Sequence, residues 1–150
     1  MKLAIGCDEA ANELKDLLKA HLLAQHHEVQ DFGTFDNQPV LYPDVGFKVA
    51  EAIAAGTYER GLLLCGTGIG MAISANKVAG VRAAQCHDTY SAERASRSND
   101  AQIITIGARV VGPELAKAIV DAWLKSSFDG GRSQPKIDRI AAYELAHHKP

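Results

Sequence analysis

The feature that most limits what this chain can fold into is its alternation of short apolar runs with longer segments of helical periodicity. Apolar runs of about four to eight residues are typical of buried strands, and the intervening helices would connect parallel neighbours. The pattern therefore predicts an α/β fold in which a parallel sheet is covered by helices on both faces. We predict five strands, at residues 2–7, 28–32, 61–65, 82–86 and 102–107.

The helical segments carry apolar residues three and four positions apart, which predicts one buried face on each helix. One such stripe runs from Leu14 to Leu22, and another runs from Leu115 to Trp123 behind Pro113, a residue that suits a first helical turn. Further helices are predicted at residues 44–55, at residues 89–98, from near Ile69, and after Pro135.

The composition is that of one ordinary globular domain spanning residues 1–150. Hydrophobic residues make up 47% of the chain, which excludes a disordered or fibrous protein. The 16 Lys and Arg residues are balanced by 18 Asp and Glu residues, so no general attraction to nucleic acid or to an anionic membrane is expected. The longest uncharged run, residues 61–76, contains four glycines and is too short to span a membrane.

The cysteines and the start of the chain indicate a cytoplasmic protein. The chain has 3 cysteines and no CxxC pair, which argues against a disulfide framework and against a structural zinc site. The first residues lead directly into a predicted strand and lack the pattern of a secretory leader.

The most informative stretch connects the third predicted strand to the next helix. Cys65 ends the strand, and Gly66, Gly68 and Gly70 follow at alternate positions. Such glycines allow backbone N–H groups to converge at the start of a helix, which is a common way of binding an anion. The stretch is neither a P-loop nor a good dinucleotide fingerprint. Plain tight-turn glycines would give the same pattern, so both interpretations stay open.

Three side chains are candidates for chemistry at the same edge of the sheet. Cys65 would lie against a helix N-terminus, which stabilises a thiolate, although free cysteine is also a common buried hydrophobe. Asp8 would flank the crevice that opens outside the carboxyl ends of the strands, or it would simply cap a helix. His87 follows the fourth strand and could reach this edge, although a structural role is the more common one.

Motifs spread over nearly the whole chain resemble those of the type B ribose-5-phosphate isomerases and of the two subunits of galactose-6-phosphate isomerase. The resemblance rests on Gly6-Cys7-Asp8, Asp31-Phe32-Gly33-Thr34, Tyr42-Pro43, Cys65-Gly66-Thr67-Gly68-Ile69-Gly70, Ala75-Asn76-Lys77, Ser98-Asn99-Asp100, Gly107-Ala108-Arg109-Val110-Val111-Gly112 and Gly130-Gly131-Arg132.

The resemblance implies a single three-layer α/β/α domain with a five-stranded parallel Rossmann-like sheet and an extra C-terminal helix. It implies an enzyme without cofactor or metal that interconverts a small aldose phosphate and its ketose phosphate through an enediolate. It also implies a homodimer with shared active sites, while pairing of dimers into tetramers stays open. Proton transfer next to a carbonyl requires a base and hydrogen-bond donors aimed at the oxygen that gains charge.

Site residues follow from the resemblance by position. It implies Cys65 as the base, Thr67 as an assisting residue, and an oxyanion site made by the backbone of Gly66, Gly68, Ile69 and Gly70. It implies contacts to substrate hydroxyls from Asp8, from Tyr42 and, across the dimer, from Asn99. It implies a phosphate site made by Arg109, Arg132 and Lys136, for which guanidinium groups are well suited.

Two positions depart from the family pattern. Glu9 and Ser98 stand where the family usually has histidine, and the second of these histidines is credited with opening the sugar ring. Ser98 cannot act as an acid or base at neutral pH. A tetrose 4-phosphate cannot close a five-membered ring and needs no ring opening, so erythrose 4-phosphate is an alternative substrate to ribose 5-phosphate. Alternatively, His87 takes over the missing role.

Other functions stay open at this stage. Galactose 6-phosphate is a further alternative substrate, since the resemblance includes that enzyme. A non-catalytic subunit that binds a sugar phosphate would explain the loss of both histidines, but the retained Cys65 and its glycine loop argue against it. A thiol hydrolase or redox protein would need a histidine partner in a recognisable context.

Overall fold

The computed structural model describes residues 1–147 and confirms the predicted α/β fold. Five strands form one sheet in which every pairing is parallel. The strands are β1 (Lys2–Cys7), β2 (Glu28–Asp31), β3 (Arg60–Cys65), β4 (Ala83–Gln85) and β5 (Ile103–Gly107). Their order across the sheet is β2-β1-β3-β5-β4, so β1 and β3 are neighbours.

Six helices connect or follow the strands, as the apolar periodicity predicts. They are α1 (Asn12–Ala24), α2 (Tyr42–Ala54), α3 (Ile69–Ala75), α4 (Thr89–Arg97), α5 (Pro113–Leu124) and α6 (Gln134–His147). None of the helices in residues 1–147 is both long enough and apolar enough to cross a membrane.

Two apolar clusters lie on opposite faces of the sheet and make the fold three-layered. One cluster packs α1, α4 and α5 against the sheet and is centred on residues such as Ile5, Leu64 and Trp123. The other packs α2 and α3 against the second face and includes Leu63 and Cys65. Because α1 and α2 cover different faces, the winding reverses between β1 and β3, which is where sheets of this kind bind ligands.

The element boundaries differ from the predictions by one or two residues. Helix α2 begins at Tyr42 rather than at residue 44, because Pro43 fits the first turn of a helix, where its missing N–H is not needed. Helix α6 begins at Gln134 for the same reason, with Pro135 in its first turn. Strand β4 is limited to Ala83–Gln85, since it pairs with β5 alone at the edge of the sheet.

Candidate active site

The carboxyl ends of β1 and β3 lie side by side at the point where the winding reverses. Cys7 is in register with Leu64, and the backbone N–H of Asp8 donates to the carbonyl of Leu64 at 3.2 Å. The chain continues from β1 into a short 3₁₀ turn and from β3 into the glycine loop. The polar residues that follow these two strands therefore share one edge of the sheet.

Cys65 lies beneath the glycine loop, and its sulfur faces a backbone donor. The N–H of Gly68 donates to Sγ of Cys65 at 3.0 Å, although the cysteine is only 5% exposed. Gly68 has φ +77°, and a Cβ there would lie 3.0 Å from the backbone of Ile106. Only glycine meets both conditions, so this contact depends on the glycine spacing noted in the sequence. An N–H donor bonds a thiolate more strongly than a thiol.

Hydrogen bonds at Thr67 and Gly68 hold the glycine loop in place. The Thr67 side chain is exposed, and its Oγ1 accepts a hydrogen bond from the backbone N–H of Ile69 at 3.3 Å. Gln85 donates through Nε2 to the Thr67 carbonyl at 2.7 Å, and the Thr105 hydroxyl donates to the Gly68 carbonyl at 2.8 Å. The loop is thus fixed from β4 and from β5.

Two predicted binding residues pack against the glycine loop. Tyr42 lies so close to Gly70 that a Cβ on this glycine would come within 2.5 Å of the aromatic ring. The guanidinium of Arg109 lies beside Gly66, with Nη1 3.4 Å from the position of a Cβ there. The structure therefore gathers Tyr42 and Arg109 around the loop that follows Cys65.

Asp8 and Glu9 make local contacts at the end of β1. Asp8 Oδ1 accepts from the backbone N–H of Ala10 at 3.0 Å, so the capping role considered from the sequence is confirmed. Burial raises the pKa of Asp8, while the nearby Arg109 works in the opposite direction. Glu9 Oε2 accepts from the backbone N–H of Val40 at 3.2 Å, which fastens the segment that leads into α2. The Glu9 carboxylate therefore has a partner within the chain.

His87 also lies at this edge, and its geometry favours the structural interpretation. The backbone N–H of Gly107 donates to Nε2 of His87 at 2.9 Å. An accepting Nε2 requires a neutral ring with its proton on Nδ1. Nε2 of His87 is therefore engaged by the backbone at the end of β5.

The other site residues predicted from the sequence line a separate cavity. A cavity of about 340 Å³ lies between the end of α4 and the start of α6. Its lining includes Ser98 and Asn99 from one side and Arg132 and Lys136 from the other, but none of the residues around the glycine loop. The predicted site residues of each chain therefore lie in two separate groups. We call them the two halves of the site, one around Cys65 and one around this cationic cavity.

Sequence reasoning missed some residues that fix these two halves. Lys15 is buried in α1 and donates to Asp31 Oδ1 at 3.2 Å and to the Thr34 carbonyl at 2.6 Å, which anchors the segment after β2. Arg94 lines the cationic cavity and donates to the Ser98 hydroxyl. A lysine or arginine within an amphipathic helix looks like a solvated residue in sequence, so only the spacing of four between Arg94 and Ser98 could have signalled the pair.

No group of three or more His, Cys, Asp or Glu side chains within residues 1–147 is arranged to hold a metal ion. What the edge of the sheet does offer is a cysteine that accepts from a backbone N–H of the glycine loop, with arginine and tyrosine side chains beside that loop. This arrangement suits proton transfer next to a carbonyl, the chemistry of isomerases that act on sugar phosphates.

The chain belongs to the Ribose/Galactose Isomerase family, whose sequence model matches residues 3–140. It is 58% identical over 138 residues to "Ribose-5-P isomerase B" of Listeria innocua, covering 92% of this chain and 93% of that protein. It is 53% identical over 146 residues to "D-erythrulose-4-phosphate isomerase" of Pectobacterium atrosepticum, covering 96% and 95%. Among solved structures it is similar to ribose-5-phosphate isomerase B of Clostridium thermocellum, with a TM-score of 0.97, 46% identity, and coverage of 99% and 100%. The predicted family, fold and enzyme class are confirmed.

Proposed function

We propose that this chain interconverts ribose 5-phosphate and ribulose 5-phosphate with Cys65 as the base. The observation that carries the proposal is the N–H of Gly68, which donates to the Cys65 sulfur at 3.0 Å within the glycine loop. A thiolate at this position is stabilised by the donor, and the neighbouring N–H groups suit an oxygen that gains negative charge.

In the proposed reaction, the Cys65 thiolate removes the proton from C2 of the open-chain aldose. The electron pair of that bond forms the C1–C2 double bond of the enediolate, and the charge moves to the former aldehyde oxygen. Backbone N–H groups of residues 66–70 stabilise this oxygen, and Thr67 assists. The hydroxyl proton at O2 passes to O1, the thiol returns its proton to C1, and C2 becomes the carbonyl of the ketose.

The substrate contacts in this proposal come from both halves of the site. Asp8 and Tyr42 hold the sugar hydroxyls, Asn99 contributes another contact, and Arg109 acts near Gly66. Arg132 and Lys136 hold the phosphate, for which a cationic cavity without an acidic lining residue is well suited. The separation of the halves within one chain means that a second copy is needed to bring them together.

A homodimer with shared sites is therefore part of the proposal. Helix α6 contributes Lys136 to the second half, and of its side chains only Ile137 is buried. Ile140, Tyr143 and Leu145 are 50%, 57% and 84% exposed, which leaves an apolar surface for the other copy to cover. Sedimentation at micromolar concentration should give a dimer or a tetramer, and mixing Cys65→Ala with Lys136→Ala chains should restore part of the activity that each lacks alone.

A tetrose phosphate is the second candidate substrate, favoured by Ser98. A serine in the phosphate half cannot supply the acid and base needed to open a sugar ring. Erythrose 4-phosphate arrives as an open chain, and a relative that is 53% identical is named D-erythrulose-4-phosphate isomerase. On this alternative the chemistry at Cys65 is unchanged, and the preference for an open-chain substrate is set by the second half.

The deciding experiment measures turnover of the purified chain on four-, five- and six-carbon aldose phosphates. Faster reaction with ribose 5-phosphate supports the first candidate substrate, and faster reaction with erythrose 4-phosphate supports the second. Faster reaction with galactose 6-phosphate would support the remaining alternative. The Cys65→Ala variant should bind the preferred substrate but not convert it. An inactive native chain that still binds sugar phosphate would replace the proposal with that of a non-catalytic subunit.

We also propose a cytoplasmic location. Cys7, Cys65 and Cys86 are all free and buried, and unpaired thiols are typical of proteins kept in a reducing compartment. Fractionation of cells that produce the chain tests the proposal, and recovery with secreted proteins would contradict it.

A further inference from the structure

The cationic cavity contains a third positive side chain that the two family motifs at its rim do not supply. Arg94, in the last turns of α4, lines the same cavity of about 340 Å³ as Arg132 and Lys136. No acidic side chain is among the described residues that line it. Three cations converging without a lining carboxylate are costly unless an anion binds among them.

Arg94 is joined to Ser98 one helical turn later. Its Nη2 donates a hydrogen bond to Ser98 Oγ, and the backbone N–H of Ser98 donates to the Arg94 carbonyl at 2.8 Å. The nearest carboxylate to Arg94, that of Glu93, is 3.8 Å from Nη1, beyond hydrogen-bond distance. The guanidinium therefore hydrogen-bonds the serine, and its ion pair with Glu93 is a long one.

This contact fixes which way the serine hydroxyl can act. The Ser98 oxygen accepts a charge-assisted bond from Arg94, and its own proton is donated to no residue within 1–147. A hydroxyl whose oxygen is held in this way offers its proton to an incoming oxygen. It can hydrogen-bond a carbonyl or hydroxyl of a substrate, but it cannot exchange protons as a ring-opening group must.

We infer that Arg94 is a positioning residue that orients the Ser98 hydroxyl towards an oxygen of an acyclic sugar phosphate. The pair makes the cavity selective for aldose phosphates that arrive as open chains, because it binds the substrate oxygen without supplying proton transfer. The inference rests on the second candidate of the proposed function, a tetrose phosphate, and deepens it, since it assigns the choice of an open-chain substrate to two residues at one helix end.

The test is a double-mutant cycle with Arg94→Leu, Ser98→Ala and the double variant, assayed on erythrose 4-phosphate and on ribose 5-phosphate. Each single change should lower kcat/KM for erythrose 4-phosphate about tenfold, mostly by raising KM. The kcat/KM of the double variant should be no lower than that of the less active single variant, because Arg94 acts through Ser98. Arg94→Lys should recover part of the loss by restoring one donor.

Arg139→Leu is the matched control, since it removes the same charge from an exposed position of α6 that does not line the cavity. Its kcat/KM should stay within about twofold of the native value. Equal effects of Arg94→Leu and Arg139→Leu would overturn the inference, and so would losses that multiply in the double variant. Arg94→Gln repeats the test if the leucine variant does not fold.

Failure of the inference can be told apart from failure of the proposed function. Calorimetry measures the Kd of erythrose 4-phosphate for each variant without any need for turnover. If the native chain converts no aldose phosphate, the proposed function is wrong. The inference is still supported if Arg94→Leu raises this Kd about tenfold and the control Arg139→Leu does not. An unchanged Kd in Arg94→Leu rejects it whether or not the enzyme is active.

Discussion

Two cysteines end neighbouring strands at the same edge of the sheet, and the structure gives them opposite hydrogen-bond roles. Cys7, at the end of β1, is fully buried and donates its thiol proton to Asn12 Oδ1 at 3.2 Å. Cys65, at the end of β3, accepts from the N–H of Gly68 at 3.0 Å. The first contact requires the neutral thiol, whereas the second favours the thiolate.

The difference shows that the segment after the strand, and not the residue type, decides whether a thiol donates or accepts a hydrogen bond. After β1 the chain enters α1, which supplies a side-chain acceptor, and burial raises the pKa of Cys7 to about 11. After β3 the glycine loop supplies backbone donors. On the proposed function, the Cys7 thiol is therefore part of the scaffold, and the Cys65 thiol is the one that reacts.

The largest expected effect comes from removing the two thiols in turn. Cys65→Ala should lower kcat by about 100- to 10,000-fold, the usual contribution of a positioned base. Cys7→Ala should retain most of the activity while lowering the free energy of unfolding, because it leaves a small cavity in the core. Steady-state kinetics and urea unfolding of both variants check the prediction. A Cys7→Ala variant as inactive as Cys65→Ala would contradict the comparison.

The second-largest expected effect is a loss of kcat when the Gly68 N–H that donates to Cys65 is displaced. Gly68→Ala should lower kcat by about 10- to 100-fold, because the Cβ would press on the backbone of Ile106 and displace the N–H. Gly80→Ala is the matched control: Gly80 has φ +81°, close to the +77° of Gly68, but nothing lies within 4 Å of its Cβ position. Both changes strain a left-handed backbone, so equal losses of kcat would show that strain alone is responsible.

A smaller difference is expected in the chemical reactivity of the native thiols. At pH 8, iodoacetamide should modify Cys65 at least about tenfold faster than Cys7, since a thiol with a pKa near 11 is about one-thousandth ionised at that pH. Burial also raises the pKa of Cys86 to about 12, so it should react slowly as well. Peptide mass spectrometry gives the three rates. Similar rates in urea are the control, and rapid labelling of Cys7 in the native chain would argue against this prediction.

The smallest effect is on stability at alkaline pH. The folded chain holds Cys7 as a neutral thiol, so its contribution is complete below about pH 9 and is lost as the pH rises towards about 11. The free energy of unfolding should therefore fall over this range. The fall should be shallower in Cys7→Ala. Urea unfolding at several pH values measures it, and parallel curves for the native chain and Cys7→Ala would refute the assignment.

Much of the fold was predictable because hydrophobic periodicity is a local property. The strands and helices were placed correctly to within one or two residues, and the reversal between β1 and β3 followed from the usual winding of such sheets. Boundaries were less certain at Tyr42 and Gln134, because the proline after each fits inside a first helical turn. The site residues around the glycine loop were also expected from the motifs.

Sequence alone determined the class of fold, the edge of the sheet at which Cys65 lies and the glycine spacing of the loop that follows it. The tertiary structure decided that Cys65 meets the Gly68 N–H, that Glu9 and His87 bond to the backbone, and that Arg94 holds Ser98 in a cavity apart from Cys65. Strand and helix patterns repeat over a few residues and are visible in the chain, whereas these contacts depend on distances set only when the layers pack together.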